Sequence, residues 1–267
     1  LKAGRLGEHD VAVPGDYMVG ILRDQGLADT FAPEELPHFA NIDPRWLDVP
    51  FDPGRTSSIP YQWGLTAFAV NRDAYQGPID SLGISYDPPE APRGRINVLD
   101  SQGEVPALAS MYLGIPQCIQ DRDQLRALND LLRTARESWA SFGSDTAKDV
   151  LVSGDALAGM IYNGFATKAR NEGANIEYAF PQEGSVIWMD NVVLLRDAPN
   201  RANALRFMDF LLEPENAGAV TSYAAYQSGV TGAEAFTDEA IRTSPENNPP
   251  EGANLGEFVM ACDEETQ

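Results

Sequence analysis

The spacing of hydrophobic residues predicts helices that alternate with short strands along most of the chain. Over residues 123–142, Leu, Ala and Trp recur at every third or fourth position, which is the period of an amphipathic helix. Residues 58–71 (SIPYQWGLTAFAVN) are rich in aromatic and apolar residues, which favours an extended strand. The same patterns predict helices at 17–25, 104–113, 145–152, 163–171, 200–212 and 214–226, and strands at 10–14, 95–99, 156–162, 176–180 and 186–195. This alternation indicates an α/β protein.

Segments without periodicity separate some of these elements. Residues 28–58 predict a long connection on the surface, and residues 76–94 predict a loop that contains one short turn. From residue 243 the chain is polar and rich in Pro, and it ends in a short apolar stretch at 255–262. These irregular insertions argue against a (β/α)₈ barrel, which needs regular βα units.

The charge balance excludes some partners. The 267 residues include 40 acidic and 19 basic ones, which gives a formal net charge of −21. Nucleic acids and anionic membrane surfaces require a basic face, so we expect neither as a partner. A cationic partner would complement this charge, although an acidic surface also serves solubility. No apolar stretch approaches the ~20 residues that span a membrane.

The start of the chain and its cysteines bear on the compartment. The sequence begins at Leu1, with no charged segment ahead of an apolar one, so we expect a mature or trimmed chain without a visible signal peptide. Cys118 and Cys262 would pair in an exported protein, whereas in a cytosolic protein they would be two buried thiols. The residues alone leave both interpretations open.

Few residues suggest catalysis. The two histidines, His9 and His38, lie in polar, loop-like contexts and are predicted on the surface. The sequence contains no GxSxG, HExxH, GxGxxG or GxxxxGK[ST] motif. Two carboxylates could act as an acid and a base, but among 40 acidic residues no pair stands out from sequence alone.

Aromatic residues beside single carboxylates recur at or near the ends of predicted strands. Asp16 and Tyr17 follow the first strand, Glu104 follows the strand at 95–99, and Asp190 lies two residues after Trp188. Ligands of open α/β sheets bind beyond the carboxyl ends of strands. Aromatic faces attract organic cations, and carboxylates accept charge-assisted hydrogen bonds from them. The alternative is that these rings belong to the core and these carboxylates cap helices.

Segments spread over nearly the whole chain resemble the periplasmic spermidine/putrescine-binding proteins of bacterial ABC importers. They are DVAVPGDYMVGIL, FANIDPRWLDVPFDPGRTSSIPYQWGLTAFAVN, NVLDSQGEVPALASMYLG, SGDALAGMIYNGFA, FPQEGSVIWMDNVVLL and ANALRFMDFLLEPENA. The resemblance implies an α/β, type II periplasmic-binding-protein fold with two lobes, hinge strands and a ligand cleft between the lobes. It implies that lobe 1 contains 1–66 and about 192–225, that lobe 2 contains 67–191, and that 226–267 is a C-terminal segment of either lobe.

The resemblance also implies the ligand-binding residues, which are Asp16, Tyr17, Glu104, Tyr162, Phe165, Trp188, Asp190 and Tyr226. Several positions depart from the family pattern. Gly15 replaces a usual Ser, with Asp16 beside it as a substitute, and Ser101 stands where some relatives have an acid. Tyr162 replaces a usual Trp, and Phe165 replaces an acid found in putrescine-selective relatives. The family's first strand and last helix have no counterpart in the sequence, so we expect lobe 1 to lack its first strand.

The resemblance therefore implies a monomeric substrate-binding component that captures a polyamine in the periplasm and delivers it to an inner-membrane ABC permease. In a Gram-positive organism it would be secreted and tethered to the membrane. No catalytic residue, metal or cofactor is expected. The alternatives are a carrier of another small cation, such as thiamine or ferric ion, and a hydrolase that uses Glu104 and Asp190.

Overall fold

The computed structural model describes residues 7–259 and residue 262. The strands are β1 (Val11–Ala12), β2 (Asp48–Val49), β3 (Asp52–Pro53), β4 (Ser58–Asn71), β5 (Ile96–Val98), β6 (Trp139–Phe142), β7 (Ala158–Tyr162), β8 (Ile176–Tyr178), β9 (Val186–Leu194) and β10 (Glu257–Phe258). The helices are α1 (Asp16–Asp24), α2 (Gly83–Tyr86), α3 (Glu104–Leu113), α4 (Arg122–Arg136), α5 (Ala147–Val152), α6 (Asn163–Asn171), α7 (Arg201–Leu211), α8 (Pro214–Ala224) and α9 (Glu239–Arg242). The predicted α/β class is confirmed.

The chain divides into two compact units, and each is built from separate stretches of sequence. Unit 1 consists of Leu1–Trp63 and Trp188–Arg242, and unit 2 consists of Gly64–Ile187 and Thr243–Gln267. The chain passes from one unit to the other within β4, within β9 and directly after α9. The lobe boundaries that the resemblance implied, near 66 and 191, stay a prediction.

In unit 1, β9 positions the chain's first elements. β1 pairs with β9 in antiparallel register, with Val11 opposite Leu194, and Gly15 forms a further bridge with Asp190. Helix α1 begins at once after this bridge and buries Val19 and Leu22 against the strand. The start of α1 is therefore fixed beside residue 190.

The prediction of a surface connection over residues 28–58 is wrong in part, because this segment contains buried charged residues. β2 and β3 form a two-stranded hairpin, and its Asp52 and the nearby Arg55 are fully buried. The Asp52 carboxylate accepts hydrogen bonds from the backbone N–H groups of Ser57 and Ser58 at 3.1 and 2.8 Å. Hydrogen bonds between polar groups thus hold this segment in place. Because the segment is not held by a regular row of hydrophobic residues, its sequence shows no helix or strand period.

Unit 2 contains a mixed sheet in the order β8–β4–β7–β5–β6. β4 is antiparallel to β7, with Thr66 opposite Tyr162, and β5 is parallel to both of its neighbours. Phe68, Ile96 and Leu108 belong to one core cluster of this unit, which includes residues of the sheet and of α3. The register between β4 and β7 places Thr66 and Tyr162 side by side.

The helix predicted over 123–142 is wrong at its C-terminal end. Helix α4 stops at Arg136, and Trp139 begins β6, which pairs with β5. Turn hydrogen bonds from Glu137 N–H to Thr134 O and from Ser138 N–H to Ala135 O end the helix. Trp139 keeps the helical spacing of Leu128 by coincidence, but it is buried as a strand residue and donates its indole N–H to Ser85 O at 2.7 Å.

A disulfide closes unit 2. Cys118 and Cys262 are bonded, with their Cα atoms 5.4 Å apart and a sequence separation of 144. This settles the choice between a pair and two thiols in favour of the pair. Within the part of the chain that the structure describes, no helix is long and apolar enough to cross a membrane.

Candidate functional site

In unit 1, the carboxylate of Asp190 is held by a neutral donor. Asp190 lies on β9 and is half-buried, and its Oδ2 accepts a hydrogen bond from Gln62 Nε2 at 3.0 Å. Burial raises the pKa of Asp190 above its ordinary value, and the hydrogen bond from Gln62 opposes that rise. Among residues 7–259, no Lys or Arg side chain pairs with Asp190. Its negative charge is therefore uncompensated.

Aromatic residues of unit 1 lie next to this carboxylate. Trp188 is two residues before Asp190, so the two side chains lie on the same face of β9. The Trp188 ring meets Tyr226 edge to face, with centroids 4.7 Å apart and planes at 83°. Tyr226 is placed by the left-handed backbone of Ala225 (φ 68°), which ends α8, and by the bridge between Trp63 and Gln227.

Asp16 and Tyr17 are brought to the same part of β9 through the bridge between Gly15 and Asp190. Asp16 is buried, and its carboxylate accepts hydrogen bonds from Tyr17 N–H at 2.6 Å and Met189 N–H at 2.9 Å. The positive end of the α1 helix dipole also stabilises this negatively charged carboxylate, which lies in the first turn of the helix. Tyr17 is 49% exposed and presents its ring to solvent. Both residues stay predicted ligands, and the bonds of Asp16 fix the start of α1 against β9.

In unit 2, two hydroxyl groups hold the carboxylate of Glu104, the first residue of α3. Thr66 Oγ1 donates to Glu104 Oε1 at 2.5 Å, and Tyr162 Oη donates to Oε2 at 3.0 Å. Thr66 and Tyr162 are the cross-strand pair of β4 and β7, so the sheet register sets both donors. No ion pair to Glu104 occurs within the described residues. Its charge, like that of Asp190, is uncompensated.

The end of β7 and the start of α6 complete this second cluster. Phe165 is half-buried and meets the Tyr162 ring edge to face, with centroids 6.0 Å apart. The intervening Asn163 is fully buried, accepts from Leu65 N–H at 3.0 Å and donates to Asn247 at 2.7 Å. These two hydrogen bonds fix the junction between β7 and α6, which carries both rings. Ser101, which stands where some relatives have an acid, accepts a hydrogen bond from the backbone N–H of Glu104 at 3.2 Å.

The predicted residues therefore form two clusters, one in each unit. We call them the Asp190 cluster (Gln62, Trp188, Asp190 and Tyr226, with Asp16 and Tyr17 alongside) and the Glu104 cluster (Thr66, Glu104, Tyr162 and Phe165). The sequence did not predict Gln62 and Thr66, because their roles depend on contacts with carboxylates that are distant in sequence. Their polarity within the otherwise apolar segment 58–71 was the available signal.

The fold agrees with the comparisons with known proteins. The family model described as bacterial extracellular solute-binding protein matches residues 119–249. The structure of a spermidine/putrescine ABC transporter substrate-binding protein from Streptococcus pneumoniae superimposes with a TM-score of 0.85 at 24% identity, covering 98% of this chain and 80% of that chain. Residues 119–249 of the chain are thus similar to the bacterial extracellular solute-binding proteins, and the chain as a whole shares their fold. The predicted two-lobed, type II periplasmic-binding-protein fold is confirmed.

The chain is also similar to proteins named for polyamine binding. It is 34% identical over 226 residues to the spermidine/putrescine-binding periplasmic protein of Escherichia coli K12, covering 85% of this chain and 65% of that protein. The chain thus spans less than two thirds of that relative's length. It is 29% identical over 262 residues to a putrescine/agmatine-binding protein of Pseudomonas aeruginosa, covering 92% of this chain and 71% of that protein. The predicted resemblance is confirmed.

Proposed function

We propose that the protein is the substrate-binding component of an ABC importer and that its ligand is a polyamine. The observation that carries this proposal is that Asp190 and Glu104 are both held by neutral donors, with aromatic rings beside them. A partly buried carboxylate without a cation from its own chain is electrostatically costly. An ammonium group from a ligand would remove that cost.

The aromatic rings select for an organic cation. A ring face attracts an ammonium group within about 6 Å of its centroid, and it also covers methylene groups. Tyr226 and Trp188 supply such rings beside Asp190, and Tyr162 and Phe165 supply them beside Glu104. A chain of methylenes that carries ammonium groups matches this combination. The relatives named for spermidine and putrescine support the same class of ligand.

The permease partner and the location are proposed on the same basis. The relatives' names place them in the periplasm or in ABC transporters, and the disulfide suits an oxidising compartment. We therefore place the protein outside the cytoplasmic membrane, where it would act as a monomer and deliver its ligand to a membrane permease. Size-exclusion chromatography with light scattering tests the monomer.

Calorimetric titration of the purified protein with spermidine, putrescine and spermine tests the ligand class. We expect spermidine to bind more tightly than putrescine. The apolar ring of Phe165 can cover extra methylenes, each worth ~0.8 kcal/mol when fully buried, but it offers no carboxylate to a second close ammonium. Thiamine and ferric ion serve as the rival ligands. Saturable binding of either one, with no heat from any polyamine, would replace the proposal with that alternative.

The hydrolase alternative requires turnover. Incubation with acylated polyamines and with glycosides, followed by mass spectrometry, would detect it. We expect the acylated polyamines and the glycosides to be recovered unchanged. A product that disappears in a Glu104→Gln variant would instead assign catalysis to this carboxylate.

A further inference from the structure

The hydrogen bond between Gln62 and Asp190 determines how this carboxylate is held. Gln62 lies on β4 and is half-buried, and its amide nitrogen is 3.0 Å from Asp190 Oδ2. Among residues 7–259, Gln62 is the one residue that donates a hydrogen bond to the Asp190 side chain. The donor is neutral, and it engages one of the two carboxylate oxygens.

A neutral donor and a cationic donor would have different consequences for a ligand. An Arg or Lys at this position would fix the carboxylate but would also cancel its charge. An amide N–H stabilises the ionised carboxylate through a hydrogen bond and leaves its full negative charge available. It also leaves Oδ1 with its lone pairs free of the Gln62 contact, so an ammonium group can bind there.

We infer that Gln62 is a positioning residue for ligand binding: its amide orients Asp190 and keeps the carboxylate ionised before the cation arrives. The inference rests on the proposed function. It deepens that function by assigning the control of Asp190 to a residue that need not touch the ligand.

The surroundings of Asp190 agree with this role. Ionisable residues around this part of β9 include Asp16 and Tyr17 at the start of α1, Tyr61 on β4, Tyr226 against Trp188, and Arg55. Asp16 is bonded to backbone N–H groups of Tyr17 and Met189. Arg55 binds Asn191 Oδ1 at 2.7 Å, and side chains 190 and 191 point to opposite faces of the strand. Burial raises the pKa of Asp190, and the bond from Gln62 is the interaction that lowers it.

A double-mutant cycle tests the inference, with spermidine as the probe. We expect Gln62→Met, which keeps the length of the side chain but removes the donor, to weaken binding about tenfold. In an Asp190→Asn background, the same change should alter affinity by less than about twofold, because Gln62 acts through the lost carboxylate. Gln120→Met, at an exposed glutamine of unit 2, is the matched control and should bind like the wild type.

A second measurement needs no ligand. The ¹³C chemical shift of the Asp190 carboxyl carbon, followed against pH, should report a higher pKa in Gln62→Met than in the wild type. A variant that failed to fold would be recognised by circular dichroism, and Gln62→Leu would then replace it.

The outcomes separate this inference from the proposed function. If Asp190→Asn binds spermidine like the wild type, Asp190 is not a ligand and the inference is overturned, whereas the polyamine ligand stands. If the wild type binds no polyamine, the proposed function itself is overturned. If Asp190→Asn loses binding while Gln62→Met keeps full affinity, the inference alone is overturned. An equal loss from Gln62→Met in both backgrounds would also overturn it, because Gln62 would then act independently of Asp190.

Discussion

At the scale of residues, two pairs of carboxylates in this protein differ in their partners. Glu246 is 2% exposed and pairs with Arg170 at 3.0 Å, and the fully buried Asp52 lies 3.5 Å from Arg23. Asp190 and Glu104 instead receive hydrogen bonds from an amide and from hydroxyls. The first pair is balanced within the folded chain, whereas the second gains most from an external cation.

Asp190→Asn should therefore separate binding from stability. The amide keeps the shape of the side chain but cannot pair with an ammonium group, so polyamine affinity should fall roughly 30- to several-thousand-fold. Without ligand, the melting temperature should rise by roughly 1–3 °C, because a desolvated charge without a cationic partner has been removed. Calorimetry and thermal denaturation measure the two effects. Affinity within about threefold of the wild type would remove Asp190 from the site.

Polyamine affinity should also depend on pH through Asp190. Burial raises the pKa of this carboxyl, so the ionised form is disfavoured in the free protein and is favoured again by a bound cation. Affinity should be constant near neutral pH and should fall as the pH drops through the raised pKa, with a limiting slope of about tenfold per pH unit for one proton. The loss should begin at a higher pH than an ordinary aspartate would allow.

Titrations between about pH 4 and pH 8 measure this dependence, and Asp190→Asn is the control, since it lacks the titrating group. A wild-type profile that is flat over this range, or one that Asp190→Asn reproduces, would contradict the assignment to Asp190.

At the scale of elements, the pairing of β4 with β7 organises the Glu104 cluster. Thr66 and Tyr162 are opposite each other in the register, and both hydroxyls donate to the first residue of α3. A shift of this pairing by one residue would separate Thr66 from Tyr162, because the strand that slips turns its side chains to the other face of the sheet. The position of Glu104 thus depends on a strand pairing that is remote in sequence.

Tyr162→Phe tests this arrangement because it removes the hydroxyl and keeps the ring. We expect polyamine affinity to fall about 3- to 30-fold, as is typical for one hydrogen bond to a charged group. Tyr75→Phe is the matched control, since it removes a tyrosine hydroxyl that donates to Pro78 O in the same unit. Calorimetry would contradict the prediction if both variants bound alike.

The elements also show which parts of the structure could be predicted from sequence. The ranges 58–71, 104–113 and 163–171 agree with β4, α3 and α6, because each carries its own periodicity or is bounded by turn residues. The end of α4 could not be found in this way, since Trp139 continues the helical spacing and its burial depends on the pairing of β6 with β5.

The clusters were predictable only in their motif-bearing residues. All four of Asp190, Glu104, Gln62 and Thr66 lie in segments that resemble a known family, but of these the resemblance implied a ligand role for Asp190 and Glu104 alone. Gln62 and Thr66 acquire their contacts with these carboxylates through tertiary packing. No local pattern distinguishes a strand glutamine that binds a carboxylate from one that faces solvent. The eight predicted ligand residues themselves remain a prediction, which the binding variants above test at Asp190 and Tyr162.

At the scale of the whole molecule, the disulfide and the net charge act over the longest distances. The Cys118–Cys262 bond spans 144 residues. Closing so long a loop restricts the unfolded chain, and loop entropy alone assigns about 5 kcal/mol to it, with measured disulfides more often giving 2–4 kcal/mol. Cys118→Ser with Cys262→Ser should thus lower the free energy of unfolding by about 2–5 kcal/mol.

Urea denaturation of the wild type and the double variant measures this difference. The wild type with a reductant should approach the double variant, while the reductant should leave the double variant unchanged. Equal unfolding midpoints for the oxidised wild type and the double variant would show that the bond contributes nothing.

The formal net charge of −21 should accelerate the capture of a polycation. Long-range attraction is screened by salt, since the Debye length shortens from about 30 Å at 0.01 M to about 3 Å at 1 M. Between about 0.02 and 0.5 M NaCl, the association rate constant of spermidine should fall about tenfold or more. The dissociation rate constant should change much less, because contacts with a partly buried carboxylate such as Asp190 are screened weakly. Stopped-flow fluorescence can follow both rates, with Trp188 beside Asp190 as the reporter. An association rate that does not respond to salt would mean that the surface charge serves solubility alone and that capture depends on the two clusters.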